Sequence, residues 1–452
     1  MELIDDNLLL KRFIIGDKVK YILSILLLIS CSNVPQRVNP KYEKLDKYLD
    51  LVESYEKGMG SVTILKSGKI EYTRHFTSIE EPSSPVYRIG SITKTYTAVL
   101  ILKLIEEGKL SLDTKLSKFY KNISNSKRIT IEHLLKHRSG LPNMTSQSDY
   151  LKYFEDHVTE NIQIDRFKKY KLEFKPGSKY AYSNTGYVLL SYIAEKVSSL
   201  SYQQLLEKYI TSPLNLKKTF VYDKYNPRTS EVKSYEKGAV WEKSSNTHES
   251  VPTGAGAISS TPKEVAIFLR AIFKGELLSN NSLKEMRSLS DGYGLGITTF
   301  PYNTKKAFGH SGGIDGYRSI VGYIEEDDLV FTQLTNGMAT SFNDISIAIL
   351  ASYYQKSFEL PQYKRSIAVS DDILKKYSGT YSAKSFPLKL TFRSKNGVLL
   401  GLASGPGQSE IPFEATTNED FSYMRAGIKL KFSDDGKNLD FTQGKTFKLK
   451  KE

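Results

Sequence analysis

Tyr87-Arg88-Ile89-Gly90-Ser91-Ile92-Thr93-Lys94 runs directly into an apolar segment, Ala98 to Ile105, and the reading of this stretch organises the rest of the chain. A helix that starts at Ser91 puts the hydroxyl where free backbone N–H groups and the positive end of the helix dipole converge. Lys94, one turn on, then falls on the same face. An unassisted serine is almost fully protonated at neutral pH, so it needs a neighbour to take its proton, and a partly desolvated lysine can stay neutral enough to do so. Ser91 and Lys94 are therefore read as a nucleophile and its base.

The spacing alone does not decide this, because Ser54/Lys57, Ser124/Lys127, Ser230/Lys233 and Ser234/Lys237 repeat it. Those four pairs lie in polar or lysine-rich stretches with no apolar helix behind them, and read as solvated surface. Only Ser91 precedes a segment apolar on nearly every face, as a helix at a domain centre is.

At 452 residues the chain can bury a large core and hold more than one domain. Its formal charge is +14, with the lysines spread along the whole length and no nucleic-acid motif among them. That balance predicts attraction to an anionic surface such as a cell envelope and excludes nucleic acid as a partner. One segment, Tyr21 to Ile29, is strongly apolar, follows Lys18 and Lys20, and closes on Leu28-Ile29-Ser30-Cys31. It is too short to span a bilayer and has the proportions of a secretory signal. The lone cysteine rules out an internal disulfide. Four acidic residues before the apolar core (Glu2, Asp5, Asp6 and Asp17) are unusual in such a signal, and suggest that translation starts near Val19.

Downstream, apolar residues at helical spacing predict an amphipathic helix over 42–55, ended by Gly58 and Gly60. Residues 61–65 and 70–75 read as a hairpin. A mostly helical stretch follows to about Leu216, and strand patterns return at 306–310, 317–324 and 329–335, before a helix over 341–354. Two strands, a helical insert and three strands predict one antiparallel sheet built from both ends of the domain, with the insert as a second lobe. A cleft between the lobes is the expected site. Beyond Tyr377, short β-like runs alternate with turns, the pattern of a small all-β domain or barrel. The expected layout is a signal peptide over 1–30, a tether over 31–41, an α+β domain over 42–358, a linker over 359–370 and a β-barrel-like domain over 371–452.

Several of these motifs stand together in an order that resembles the serine hydrolases of the β-lactamase and penicillin-binding family, in the branch of class C β-lactamases, DD-peptidases, D-amino-acid-specific peptidases and carboxylesterases. The resemblance is carried by Gly90-Ser91-Ile92-Thr93-Lys94, Glu107 to Asp113, Leu134 to Leu141 with its His137-Arg138-Ser139-Gly140, and Pro176-Gly177. It continues through Tyr182-Ser183-Asn184, Tyr293-Gly294-Leu295-Gly296 and His310-Ser311-Gly312, and covers about Gly60 to Tyr354. Leu-x-small-Cys at 28–31 likewise resembles a bacterial lipobox, which implies a lipid anchor on Cys31.

The resemblance implies that Tyr182 shares the proton shuttling of Lys94 and that Asn184 hydrogen-bonds the substrate amide. A phenol beside a lysine cation would have a lowered pKa. His310, Ser311 and Gly312 take the place of the family's Lys-Thr-Gly, and Gly313 would join Ser91 in an oxyanion hole. A mostly neutral histidine holds a substrate carboxylate less firmly than an ammonium, which speaks against efficient β-lactam hydrolysis. His133 and His137 are spaced i, i+4, but no glutamate base lies between them and no third ligand is evident, so no metal is expected. Ala255 to Thr261 is expected to line the cleft.

The sequence thus predicts a lipid-anchored serine hydrolase of the bacterial envelope, acting without cofactor through an acyl-enzyme on a small-molecule or peptide amide or ester. A D-amino-acid or cell-wall peptidase or a carboxylesterase comes first. The alternatives are a β-lactamase, a non-catalytic penicillin- or peptidoglycan-binding lipoprotein, or an adhesin using its β domain.

Overall fold

The computed structural model describes residues 39–452, apart from residue 239 and residues 406–409. The expected signal segment, tether and Cys31 lie outside the described residues. Lys41 to Glu452 form one compact unit. Among the described residues no helix is long and apolar enough to cross a membrane.

The main sheet has six antiparallel strands, in the spatial order Lys69–Phe76, Gly58–Lys66, Leu329–Met338, Tyr317–Ile324, Lys305–Ile314, Thr298–Tyr302. The chain thus closes its sheet from both ends, as the pattern predicts. Gly58 and Gly60 do not merely end the first helix, Glu43–Ser54; they open the second of these strands. A Cβ at Gly60 would lie 2.4 Å from the Leu334 carbonyl oxygen, so the close strand approach requires glycine there.

The edge strand Thr298–Tyr302 has no counterpart in the sequence reading. It is five residues long and carries Pro301, which is tolerated on an edge and obscures a strand pattern. Its pairing with the neighbouring strand stops at Thr298 opposite Gly309. The following residues, His310 to Ile314, therefore have no strand beside them on that side.

Two helices cover one face of the sheet: Glu43–Ser54, through Leu45, Tyr48, Leu49 and Val52, and Phe342–Tyr353. Pro262–Phe273 packs on the other face. Beyond it lies the helical lobe, centred on Thr93–Glu106 and Asn184–Ser198, which pack together. Eleven of the fourteen residues of Thr93–Glu106 are buried. Threonine, valine and isoleucine are mediocre helix formers, so tertiary packing rather than propensity holds this helix. A three-stranded sheet of Tyr87–Arg88, Ile258–Ser260 and Phe220–Val221 was not predicted; strands of two or three residues are too short to show a period.

Two of the supposed surface pairs are not solvated. Lys57 is 2% exposed and paired with Glu414, and Lys237 is 7% exposed and bonded to Glu56 at 2.6 Å. Polarity along the chain could not show this, because the burying partner of Lys57 lies more than 350 positions away.

After the helix Asp371–Tyr377, eight strands from Gly379–Ser382 to Lys445–Lys451 pair in sequence order and close into a barrel. Its interior is filled by Tyr381, Phe392, Phe413, Phe421 and Phe432, with Tyr377 stacked on Phe432 at 4.4 Å between ring centroids. The barrel is a packed core, not a cup. Residues 359–370 are tied at both ends: Tyr363 Oη donates to Thr340 Oγ1 at 3.1 Å and Ile367 N to Ala415 O at 2.9 Å.

Candidate active site

Ser91 sits in a single 3₁₀ turn, Gly90–Ile92, that leads straight into the helix starting at Thr93. Gly90 has φ +50°, and a Cβ there would meet the Gly313 nitrogen at 2.8 Å. A Cβ at Gly312 would in turn meet Ser91 N at 2.9 Å and Ile89 O at 2.2 Å. Two glycines therefore let the backbone at 89–91 and the free end of the strand at 312–313 touch. The strand end left unpaired by the short edge strand is the one that reaches Ser91.

Lys94 is fully buried, with Nζ 3.0 Å from Ser91 Oγ, 2.7 Å from Asn184 Oδ1 and 2.9 Å from Ala255 O. Burial alone pushes its pKa well below the usual lysine value, since no carboxylate compensates. A neutral amine has two N–H bonds and one lone pair. Asn184 Oδ1 and the Ala255 carbonyl accept those two N–H bonds, which leaves the lone pair facing the Ser91 hydroxyl. That arrangement can take a proton from serine.

Tyr182 Oη donates to Ser91 Oγ at 2.8 Å. The sequence reading expects its pKa to be lowered by a lysine cation; burial instead raises it, and the contact with Ser91 offsets only part of the rise. The reason is that desolvation of the phenolate outweighs the stabilising contact. The phenol is therefore a proton donor at this point of the site, not a phenolate base.

Asn184 opens its helix and is oriented from behind. Its Nδ2 donates to Asn143 Oδ1 at 3.1 Å and to Thr145 Oγ1 at 3.3 Å, which turns Oδ1 towards Lys94. Asn143 and Thr145 stand two and four residues past the Leu134–Leu141 motif, where the sequence offers only a Pro-Asn turn as a signal. His137 is buried at φ +55°, accepts Ser183 N–H at 3.1 Å on Nδ1, and lies 4.3 Å from the Tyr182 ring. It has left the helix Ile131–Leu135, while His133 caps that helix with Thr130, so the two histidines share no helix face. Among the described residues no cluster of three metal-ligating side chains occurs.

His310 is 4% exposed. Its Nδ1 donates to the Ser311 carbonyl at 2.5 Å, and Nε2 accepts from Tyr293 Oη at 2.9 Å. Burial first, and Lys94 second, push its pKa down to about 3, so the ring is neutral as expected. Both nitrogens are occupied, however, and the ring faces the buried side of the strand. Ser311 and Gly313 lie on the exposed side.

The cleft over Ser91 has a volume of about 360 Å³ and is lined by Asn184, Gly313 and an apolar wall of Met144, Tyr150, Leu151 and Phe154; of the expected segment 255–261 only Ala255 and Gly256 reach it, the rest being buried. The wall carried no signal in the sequence.

An antiparallel sheet flanked by helices, a helical lobe and a Ser-x-x-Lys pair in the cleft between them define a β-lactamase-like serine hydrolase. The profile of the family described as Beta-lactamase matches residues 50–353, and the chain belongs to that family. Penicillin-binding protein 4* of Bacillus subtilis (strain 168) is 26% identical over 368 residues, 71% of this chain and 79% of that protein. Teichoic acid D-alanine hydrolase of Staphylococcus aureus is 32% identical over 194 residues, which make up 41% of this chain and 45% of that protein. The solved structure of the octameric penicillin-binding protein homologue from Pyrococcus abyssi aligns with a TM-score of 0.61 at 25% identity, over 90% of this chain and 99% of that one.

Proposed function

We propose that this hydrolase cleaves a D-amino-acyl ester or amide through an acyl-enzyme on Ser91. The observation that carries the reading is the relay in which Ser91 Oγ lies 3.0 Å from Lys94 Nζ and 2.8 Å from Tyr182 Oη. Lys94 takes the serine proton as Oγ attacks the carbonyl carbon. The N–H groups of Ser91 and Gly313 receive the oxyanion, Tyr182 gives its proton to the leaving group, and water then frees the acyl group by the reverse path. Asn184 positions Lys94 and faces the substrate amide, beside the strand at Ser311, Gly312 and Gly313. His310 supports that strand through Tyr293.

The D-amino-acyl preference is supported by the relative named for D-alanine hydrolysis and by a cleft of modest volume. Work at the bacterial cell envelope, with Cys31 lipidated, is supported by the apolar segment before Leu28-Ile29-Ser30-Cys31 and by the +14 charge. In this reading residues 359–370 join the hydrolase domain to the barrel.

The test is covalent labelling with a fluorophosphonate or fluorescent penicillin, followed by turnover of D-alanyl esters, D-alanyl peptides and a chromogenic cephalosporin. Wild-type protein labels and Ser91→Ala does not; equal labelling of both refutes the mechanism. Cephalosporin turnover far above ester turnover refutes the substrate class. Cys31→Ala releases the protein from membranes with its activity intact, whereas unchanged fractionation refutes the anchor.

A further inference from the structure

Arg88 stands three residues before Ser91, and Asp315 two residues after Gly313. Their side chains form an ion pair at 2.9 Å and are 1% and 2% exposed. The same guanidinium nitrogen of Arg88 donates to Thr247 O at 2.7 Å, while Nε and Nη2 are buried without a partner. Asp315 holds φ +50° and accepts from Thr247 N at 3.2 Å, Thr247 Oγ1 at 2.6 Å and Ser245 Oγ at 3.3 Å.

Such a pair is a poor stabiliser. Desolvating both charges, with part of the guanidinium left unsatisfied, offsets much of what their attraction returns. What the charged pair provides is a fixed distance and direction between two segments. Those segments carry Ser91 N and Gly313 N. A second tie is indirect: Ser319, paired with Gly312 from the neighbouring strand, donates its Oγ to Ile89 O at 2.8 Å. Ser319 alone would act as a hinge, whereas two ties fix both separation and angle. Thr247, bonded to both charges, adds part of the cleft wall to the same frame.

We infer that Arg88 and Asp315 are positioning residues that set the geometry of the oxyanion hole. This rests on the acyl-enzyme reading of Ser91. Loss of the tie lets the two N–H groups drift apart, and a misplacement near 1 Å costs about 10²-fold in rate.

The experiment compares Arg88→Met/Asp315→Leu, Asp315→Asn and Arg88→Lys with wild type. Each is read by Tm, by kcat and KM for an activated ester per folded molecule, and by affinity for a boronic acid that places a tetrahedral oxygen in the hole. The expected result for the double variant is a Tm lowered only modestly, because Thr247 and Ser245 lose an acceptor, with kcat down about 10²-fold, KM nearly constant and boronate affinity down in proportion. Asp315→Asn shows the same losses in smaller measure, and Arg88→Lys recovers part of the rate. Native kcat per folded molecule in the double variant or in Asp315→Asn overturns the inference. So does a rate loss with unchanged boronate affinity, and so does failure of both variants to fold, which would make the pair a stability element. Ser91→Ala separates the two readings: residual hydrolysis there defeats the acyl-enzyme, whereas strict dependence on Ser91 with native rates in the pair variants defeats only this inference.

Discussion

Replacing Gly312 by alanine tests the contact on which the site depends. The new Cβ would stand 2.2 Å from Ile89 O, 2.3 Å from Ser319 Oγ and 2.9 Å from Ser91 N. Ordinary van der Waals contact needs about 3.5 Å, so relief demands about 1.3 Å of separation from the Ile89 carbonyl. No side-chain rotation supplies it, because two of the three obstacles are backbone atoms and the third, Ser319 Oγ, is itself bonded to Ile89 O. The strand must retreat from the nucleophile turn. Overpacking of this kind costs about 1–3 kcal/mol of stability, and a shift near 1 Å at the reacting centre about 10²-fold in kcat. Burst kinetics with an activated ester, normalised to folded protein, separates the two effects. Gly238→Ala is the control, since its Cβ meets nothing closer than 3.7 Å. A folded Gly312→Ala enzyme with native kcat, or one whose only change is in KM, refutes the reasoning.

The rate profile for kcat/KM rises through the depressed pKa of Lys94 and is already on its plateau far below pH 10, with no loss at the ordinary tyrosine value because burial raises Tyr182; an acid limb centred near the usual lysine pKa would contradict both. Lys94→Met abolishes turnover and raises Tm. The sign follows from linkage: unfolded lysine is protonated below about pH 10.4 and the native amine is not, so the unfolded state binds more protons at neutral pH and each unit of depression costs about 1.4 kcal/mol. Thermal melts of the variant at pH 7 and pH 10 check this, with the gain shrinking as pH rises. Lys57→Met strands the buried Glu414 carboxylate and costs about 3–5 kcal/mol; urea melts measure it, and an unchanged midpoint would show the ion pair to be dispensable.

Local order in the chain made much of this legible. The buried helix after Ser91 was visible because its apolar residues cover every face, and the hairpin and late strands because alternation survives in the one-dimensional text. The barrel could be read from turns at regular spacing. The strand Thr298–Tyr302 and the three-stranded sheet could not, being too short or broken by Pro301. Asn143 and Thr145 escaped for a different reason: they act through Asn184, some forty residues away, and nothing beside them in the sequence marks that bond.

By itself the sequence singled out the candidate residues, since Ser91 and Lys94 meet through one helical turn and Tyr182 and Asn184 flank the start of another. Those are local facts of helix geometry. Only the tertiary structure decided their protonation states. Burial lowers the pKa of Lys94 and raises that of Tyr182, which reverses the expected role of Tyr182 from acidified phenol to proton donor. It also turned His310 away from the cleft and buried Lys57. Desolvation is a property of the three-dimensional surroundings, summed over residues far apart in the chain, and so no spacing of letters encodes it.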